Sequence, residues 1–288
     1  MAIYFTGDTH GNFSRFTRSG FPMQKHMNRD DYMIICGDFG IWNKCKEEDY
    51  NLDEMSNRSF TTLFADGNHE CYDRLCTPQY KAFMAGNPWQ EKDPGEFQIV
   101  PYMGGYAQQI RPNIYHLLRG EIYEILGKKI FVFGGAQSHD IRDGILDRDN
   151  FKTDDEFYEA CYWYRKTGRE YRIAHLSWWK EELPSDDEMK HAMENLKKHD
   201  FKVDYVVTHC APSSICALMG YTERDTATDF LQKVNENLSF DKWYFGHYHK
   251  DINLNQEFVL LYNSIVPAYD RDYYKDAFQN EEPDSEDR

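Results

Sequence analysis

Asp8 and His10 stand two residues apart in the turn Gly7-Asp8-Thr9-His10-Gly11, directly after the apolar run Ala2-Ile3-Tyr4-Phe5. Such a run reads as a buried strand. Residues i and i+2 of a strand share a side, so this carboxylate and imidazole can point at one ion from the strand's end. The pair suits a hard-to-borderline metal such as Mn, Fe or Zn. An Asp-x-His is common by chance, and its weight here comes from four later fragments of the same build. An apolar run at 32–36 exits at Gly37-Asp38-Phe39-Gly40, and one at 60–65 exits at Gly67-Asn68-His69-Glu70. The run 203–207 leads into Thr208-His209-Cys210, and 242–245 into Gly246-His247-Tyr248-His249.

Five strands must therefore deliver Asp8/His10, Asp38, Asn68/His69, His209 and His247/His249 to one place. In open sheets, ligands collect at the carboxyl ends of strands. The exits run from residue 8 to residue 249, so nearly the whole chain has to fold together. This predicts a single domain over 1–275, with insertions at about 78–112 and 136–186. The charged, breaker-free stretch 47–58 predicts a helix. Ser185 and Glu188 form a capping-box pattern, opening a helix with Met189, Ala192, Met193 and Leu196 as its apolar stripe. A second amphipathic helix is predicted over 227–238. Runs at 114–118, 121–126 and 129–133 read as strands, the first two as a hairpin around Arg119-Gly120. The run 258–262 reads as a late strand closing a sheet edge. Gly and Pro interrupt 78–112, which predicts irregular chain or short strands over the site. The stretch 141–186 is charged and aromatic, with little periodicity.

The 288 residues are 41% hydrophobic and include 21 Tyr and 19 Phe, enough for a large core. Lys and Arg number 33 against 49 Asp and Glu, a net charge of −16. Part of the excess lies in the acidic tail 276–288, expected to be solvated and disordered. The body stays acidic without it, which argues against duplex nucleic acid as a partner. Seven cysteines without a Cys-x-x-Cys read as free thiols in a reducing cytoplasm. The N-terminus shows no charged-then-apolar leader and no stretch approaches 18 apolar residues, so neither secretion nor a membrane span is expected.

Taken in order, Gly-Asp-x-His, Gly-Asp, Gly-Asn-His-Glu, His and Gly-His-x-His over residues 7–249 resemble the calcineurin-like metallophosphoesterase superfamily. The resemblance implies an α/β fold, a four-layer αββα sandwich of two mixed β-sheets flanked by helices. It also implies two divalent transition-metal ions, Mn foremost, with Fe or Zn as alternatives. Asp8, His10 and His249 would hold the first, Asn68, His209 and His247 the second, and Asp38 both. Two cations roughly 3.5–4 Å apart stabilise the attacking and leaving oxygens of an in-line displacement. The implied reaction is hydrolysis of a phosphate monoester by a metal-bridging hydroxide, with His69 protonating the leaving group. The substrate would be a phosphorylated small molecule, a nucleotide or a phosphoprotein.

Two motifs look like the serine/threonine protein phosphatase branch, but that branch has Asp-Arg where this chain has Ile41-Trp42, and Arg where it has Asp66. The missing groups orient the catalytic His and clamp phosphate, so replacements are sought in Arg74, His139 and Arg142. Bidentate arginine fits a phosphate. His191 and His199 are expected on a solvated helix face, while His26, His116 and His175 match no motif. Phe39, Trp42, Tyr72 and Tyr248 are expected to pack between layers. The alternative readings are a phosphodiesterase or nucleotide pyrophosphatase of the diadenosine tetraphosphatase type and, from another class, a metal-poor interaction scaffold. The filled ligand positions argue against the scaffold.

Overall fold

A computed structural model describes residues 1–87 and 95–268; the acidic tail lies outside the described residues. In chain order it begins β1 (Ile3–Thr6), β2 (Tyr32–Ile35), α1 (Lys46–Ser56), β3 (Thr61–Phe64), α2 (Tyr72–Leu75) and α3 (Pro78–Met84). Then follow β4 (Gln98–Tyr102), β5 (Gly105–Arg111), β6 (Ile114–Leu117), β7 (Ile122–Ile125) and β8 (Lys128–Phe133). An excursion carries β9 (Gly144–Leu146), α4 (Asp154–Lys166) and β10 (Tyr171–Ile173). The chain continues with α5 (Asp186–Lys198), β11 (Tyr205–Thr208), α6 (Ser213–Leu218), α7 (Thr226–Asn237) and β12 (Lys242–Phe245). It closes with β13 (Ile252–Asn253), β14 (Phe258–Leu260) and β15 (Val266–Pro267).

The strands form two mixed sheets, in the orders β15-β1-β2-β3-β6-β5-β4 and β13-β14-β12-β11-β8-β7. The central strands β2, β3 and β11 are buried at every residue. That suits parallel strands covered on both faces, and explains why they read as continuous apolar runs. Between the sheets Phe5, Ile34 and Leu63 meet Val132, Tyr205, Val207 and Tyr244. The outer face of the first sheet packs Met33, Ile35 and Phe64 against Leu52 and Met55 of α1. The outer face of the second packs Val206, Trp243 and Phe245 against Ala192, Leu196, Phe230 and Leu231 of α5 and α7. This is the expected helix–sheet–sheet–helix layering, in which each large buried side chain contributes about 1.5–3 kcal/mol.

Register decides where the chemistry falls. Thr6 pairs with Ile35 and Ile35 with Phe64, so the chain leaves β1, β2 and β3 side by side. In the second sheet Val207 pairs with Tyr244, bringing the exits of β11 and β12 level. The helix starts follow the sequence signals: Ser185 and Glu188 exchange the two bonds of a capping box, and Asp225 with Thr228 forms another.

Several expectations need correction. The runs flanking Arg119-Gly120 are no hairpin, because β6 pairs with β3 and β5 while β7 pairs with β8 in the other sheet. Gly120, at φ 82°, is the crossing point: its N–H donates to Val132 O at 2.7 Å, and a Cβ there would lie 2.7 Å from Ala192 Cα. The stretch 78–112 supplies the strands β4 and β5 at a sheet edge and also a helix, α3, that was not expected; its residues 88–94 lie outside the described residues. Strand β14 lies inside its sheet, with β13 at the edge, and β15 closes the edge beside β1. His191 is half-buried rather than solvated, with Nε2 2.5 Å from Glu121 Oε1. Among the described residues no helix is long and apolar enough to cross a membrane.

Candidate metal centre

Asp8, His10, Asp38, Asn68, His209, His247 and His249 converge where the two rows of strand ends face each other. His10, Asp38, His247 and His249 adopt positive φ of 48°, 46°, 69° and 49°. That left-handed region is uncommon outside glycine, though His and Asp tolerate it better than most residues. Such backbones cost on the order of 1–3 kcal/mol each and persist where the surroundings hold them.

The surroundings do so visibly. Asp38 O accepts from Thr9 N–H and His10 N–H at 3.0 and 2.7 Å, locking the first exit to the second. Glu70, fully buried, accepts from the N–H groups of Phe39 and Ile41, both at 2.6 Å, and so shapes the turn that carries Asp38. Asp38 Oδ1 in turn accepts from His69 N–H at 2.7 Å. Two glycines make the approach possible. A Cβ on Gly67 would lie 2.1 Å from Asp38 Oδ1, and one on Gly246 would lie 2.1 Å from Asp8 Oδ1.

Ligand-type atoms of Asp8, His10 and His249 lie within 4.8 Å of one another, as do those of Asp8, Asp38 and His209. His249 Nε2 is 3.1 Å from Asp8 Oδ2, and His10 Nε2 is 3.2 Å from His249 Nε2. His209 Nε2 lies 3.4 Å from Asp38 Oδ1 and 3.1 Å from Asn68 Oδ1. The His247 ring sits 4.9 Å from that of His209. Asp8 thus belongs to both tight groups, while Asp38, 3.7 Å from His10 Nδ1, reaches both sides as well.

The electrostatics suit cations. Burial alone would raise the Asp38 pKa, but His209, then His69 and His10, hold it far below the usual carboxylate range. Burial would lower His209, yet Asp38 outweighs it and pushes the imidazole up to about 10. The pull that keeps a proton there would equally favour a cation. His247 is driven well below its ordinary value by burial, then by His209 and His139, which leaves the neutral imidazole a metal needs. Two carboxylates, four imidazoles and one amide fit a pair of divalent cations, leaving net positive charge for an anion.

A cavity of about 280 Å³ opens over this cluster, lined by His69, His139, Asp140 and Arg172 besides several of the seven. It adjoins a cleft of about 670 Å³ past His10 and Trp42, and one of about 720 Å³ past His139 and His247. The sequence pointed to Arg74, but its guanidinium is bound to Glu48 at 2.6 Å and to Glu96 at 2.8 Å and does not line the cavity. Arg142 lines the larger cleft while pairing with Glu170 at 2.9 Å, and the His139 ring lies tilted against that of His247, 4.6 Å between centroids.

The guanidinium that does reach the cavity is Arg172, which sequence reasoning missed. Its Nε donates to Asp140 Oδ1 at 2.7 Å, and Asp140 was passed over as well. Arg172 sits on a three-residue strand in a stretch without periodicity, so no pattern marked it. His69 meets His10 and Trp42 edge-on at 5.2 and 5.6 Å, and among the described residues none hydrogen-bonds its ring. Burial lowers its pKa, Asp38 opposes, and Arg172 lowers it further.

Asp66 is buried beneath the site rather than facing substrate. It accepts from Tyr72 Oη at 2.8 Å, contacts His116 Nε2 at 3.1 Å, and takes two bonds from Arg119. His116, which matched no motif, thus has a structural partner. Phe39 stacks on Phe64, as packing between layers requires.

No curated protein matches the chain. The family model described as calcineurin-like phosphoesterase matches residues 1–251, a span that holds every strand exit described above. The match and the Asp/His groups at the strand ends agree on the chemistry: the chain belongs to the calcineurin-like phosphoesterase family and is a metal-dependent phosphoric ester hydrolase.

Proposed function

We propose that this chain hydrolyses a phosphate monoester at a dinuclear centre, with Asp8, His10 and His249 holding one cation, Asn68, His209 and His247 the other, and Asp38 shared. Mn²⁺ is the favoured metal, with Fe or Zn as alternatives. The observation that carries this reading is the pair of tight donor groups, Asp8/His10/His249 and Asp8/Asp38/His209, beside a cavity in which, among the described residues, Arg172 is the one guanidinium. Bound divalent cations supply Lewis-acid stabilisation of phosphoryl oxygens and acidify water. The chain's own groups do the rest. Arg172, aligned by Asp140, offers N–H donors to a phosphoryl oxygen. His69 hands a proton to the leaving oxygen; its lowered pKa makes the imidazolium a stronger acid. Trp42 and His10 flank that ring on the side of the cleft into which the leaving group departs.

A second reading, a phosphodiesterase or nucleotide pyrophosphatase, is favoured by one feature. Clefts of about 670 and 720 Å³ adjoin the cavity and give room for two substituents on phosphorus. An aryl monoester and a bis-aryl diester assayed side by side with Mn²⁺ separate the two. Monoester turnover at least tenfold above diester turnover supports the first reading, and the reverse order overturns it. Seven free cysteines support a reducing, cytoplasmic setting.

A further inference from the structure

We infer that Ser138 and Glu182 are positioning residues for Asn68, fixing which end of its amide meets a cation, and that they anchor the 136–186 excursion to the centre. This rests on the ligand assignment proposed above. An asparagine amide has a nitrogen end and an oxygen end of nearly equal size, and only the oxygen can bind a cation. Ser138 Oγ accepts from Asn68 Nδ2 at 3.3 Å, which turns Oδ1 towards His209 Nε2 at 3.1 Å.

Ser138 is itself held. Its N–H donates to Glu182 Oε2 at 2.9 Å, and both residues are 1% exposed. Arg119 donates to Glu181 O at 2.9 Å while bound to Asp66, so the backbone carrying Glu182 is fixed as well. Glu182 Oε1 is buried with no hydrogen-bond partner among the described residues. An unpaired buried carboxyl oxygen is costly, and filling the space would not require a carboxyl. Holding the Ser138 N–H, and through it the Asn68 amide, accounts for an acceptor at this place. Ser138 begins the excursion and Glu182 ends it, so one hydrogen bond ties both ends together beneath the cation ligand.

The test is a Mn²⁺ titration of the metal-free full-length protein, followed by electron paramagnetic resonance, which separates isolated ions from a spin-coupled pair. Wild type should take up two ions. Ser138→Ala should weaken the second about tenfold, the low end for partners of a metal ligand, and leave the first within about twofold. Glu182→Leu should do the same, and Glu182→Gln, which keeps an acceptor oxygen for the Ser138 N–H, should restore wild-type binding. If Glu182→Leu fails to fold, Ser138→Ala, which removes only a hydroxyl, decides the matter. Two-ion binding by Ser138→Ala at wild-type affinity, equal weakening of both ions, or a Gln variant that fails to restore binding overturns the inference alone. A wild type that takes up fewer than two ions overturns the ligand assignment and the inference with it.

Discussion

Replacing Glu182 by Gln should stabilise the protein, and by an amount that grows with pH. Burial pushes this carboxyl up to about 8, with Ser138 only partly opposing, against about 4.3 for a free glutamate. The folded chain therefore keeps a proton that the unfolded chain gives up between those values. Native protein binds more protons across that window, so its stability falls as pH rises from about 4.3 to 8 and is level on either side. At 1.36 kcal/mol per pH unit, the cost is about 2 kcal/mol at pH 6 and about 5 kcal/mol above pH 8. Entry of water beside the ionised group would lower the latter figure. Gln has no such proton and still accepts from Ser138 N–H, so the variant escapes the cost. Urea unfolding of the two metal-free proteins at pH 5, 6 and 9 measures the difference, in which the other titrating groups cancel. The stability gap should be small at pH 5, wider at pH 6 and at its full, level value by pH 9. A gap that stays constant, or closes as pH rises, would refute the reasoning.

His69→Ala should lower kcat by about 10²–10⁴-fold while both metal ions stay bound; loss of metal in that variant would show His69 to be a ligand instead. Gly67→Ala should abolish two-ion binding and cost about 1–3 kcal/mol or more of stability, because the new methyl would lie 2.1 Å from Asp38 Oδ1 and 2.5 Å from Asp38 N. Metal analysis and thermal melts check this, and a fully metallated Gly67→Ala protein contradicts it. Arg172→Ala should lower kcat/KM about 10–100-fold, as loss of a hydrogen bond to a charged group predicts. Arg74→Ala should leave kcat/KM within about twofold while lowering Tm, since it strands Glu48, which is 7% exposed. Equal kinetic effects of the two substitutions would undo the assignment of Arg172.

The strand exits were legible because buried parallel strands leave unbroken apolar runs that end at a metal-type side chain, in four of the five cases within a glycine turn. The start of α5 was legible because Ser185 and Glu188 cap it through local bonds. Where tertiary context decides, the sequence was mute. Arg119-Gly120 looks like a hairpin turn, and only burial of Arg119 against Asp66 and Glu188 reveals a crossing between sheets. Helix α4 buries Phe157 alone and exposes Tyr158, Tyr162 and Trp163, so it shows no stripe facing a core. Arg74 lay at an inviting distance from His69, but two glutamates remote in sequence claim it. Asp66 stood out only as a departure from a motif, and its partners His116 and Arg119 are some 50 residues away.

The donors are divided between the two sheets. Asp8, His10, Asp38 and Asn68 hang from the leaf built on β1, β2 and β3, and His209, His247 and His249 from the leaf built on β11 and β12. Both negative charges sit on the first leaf, and the second offers only imidazole nitrogen. Ions seated between them would act as rivets, joining leaves that the chain itself links at Arg119-Gly120 and again between β14 and β15. A backbone nick inside the excursion would part the two donor sets but leave β8 paired with β11 and β1 with β15, so Mn²⁺ should strengthen the association of the nicked halves; an association indifferent to chelator would contradict that division of labour.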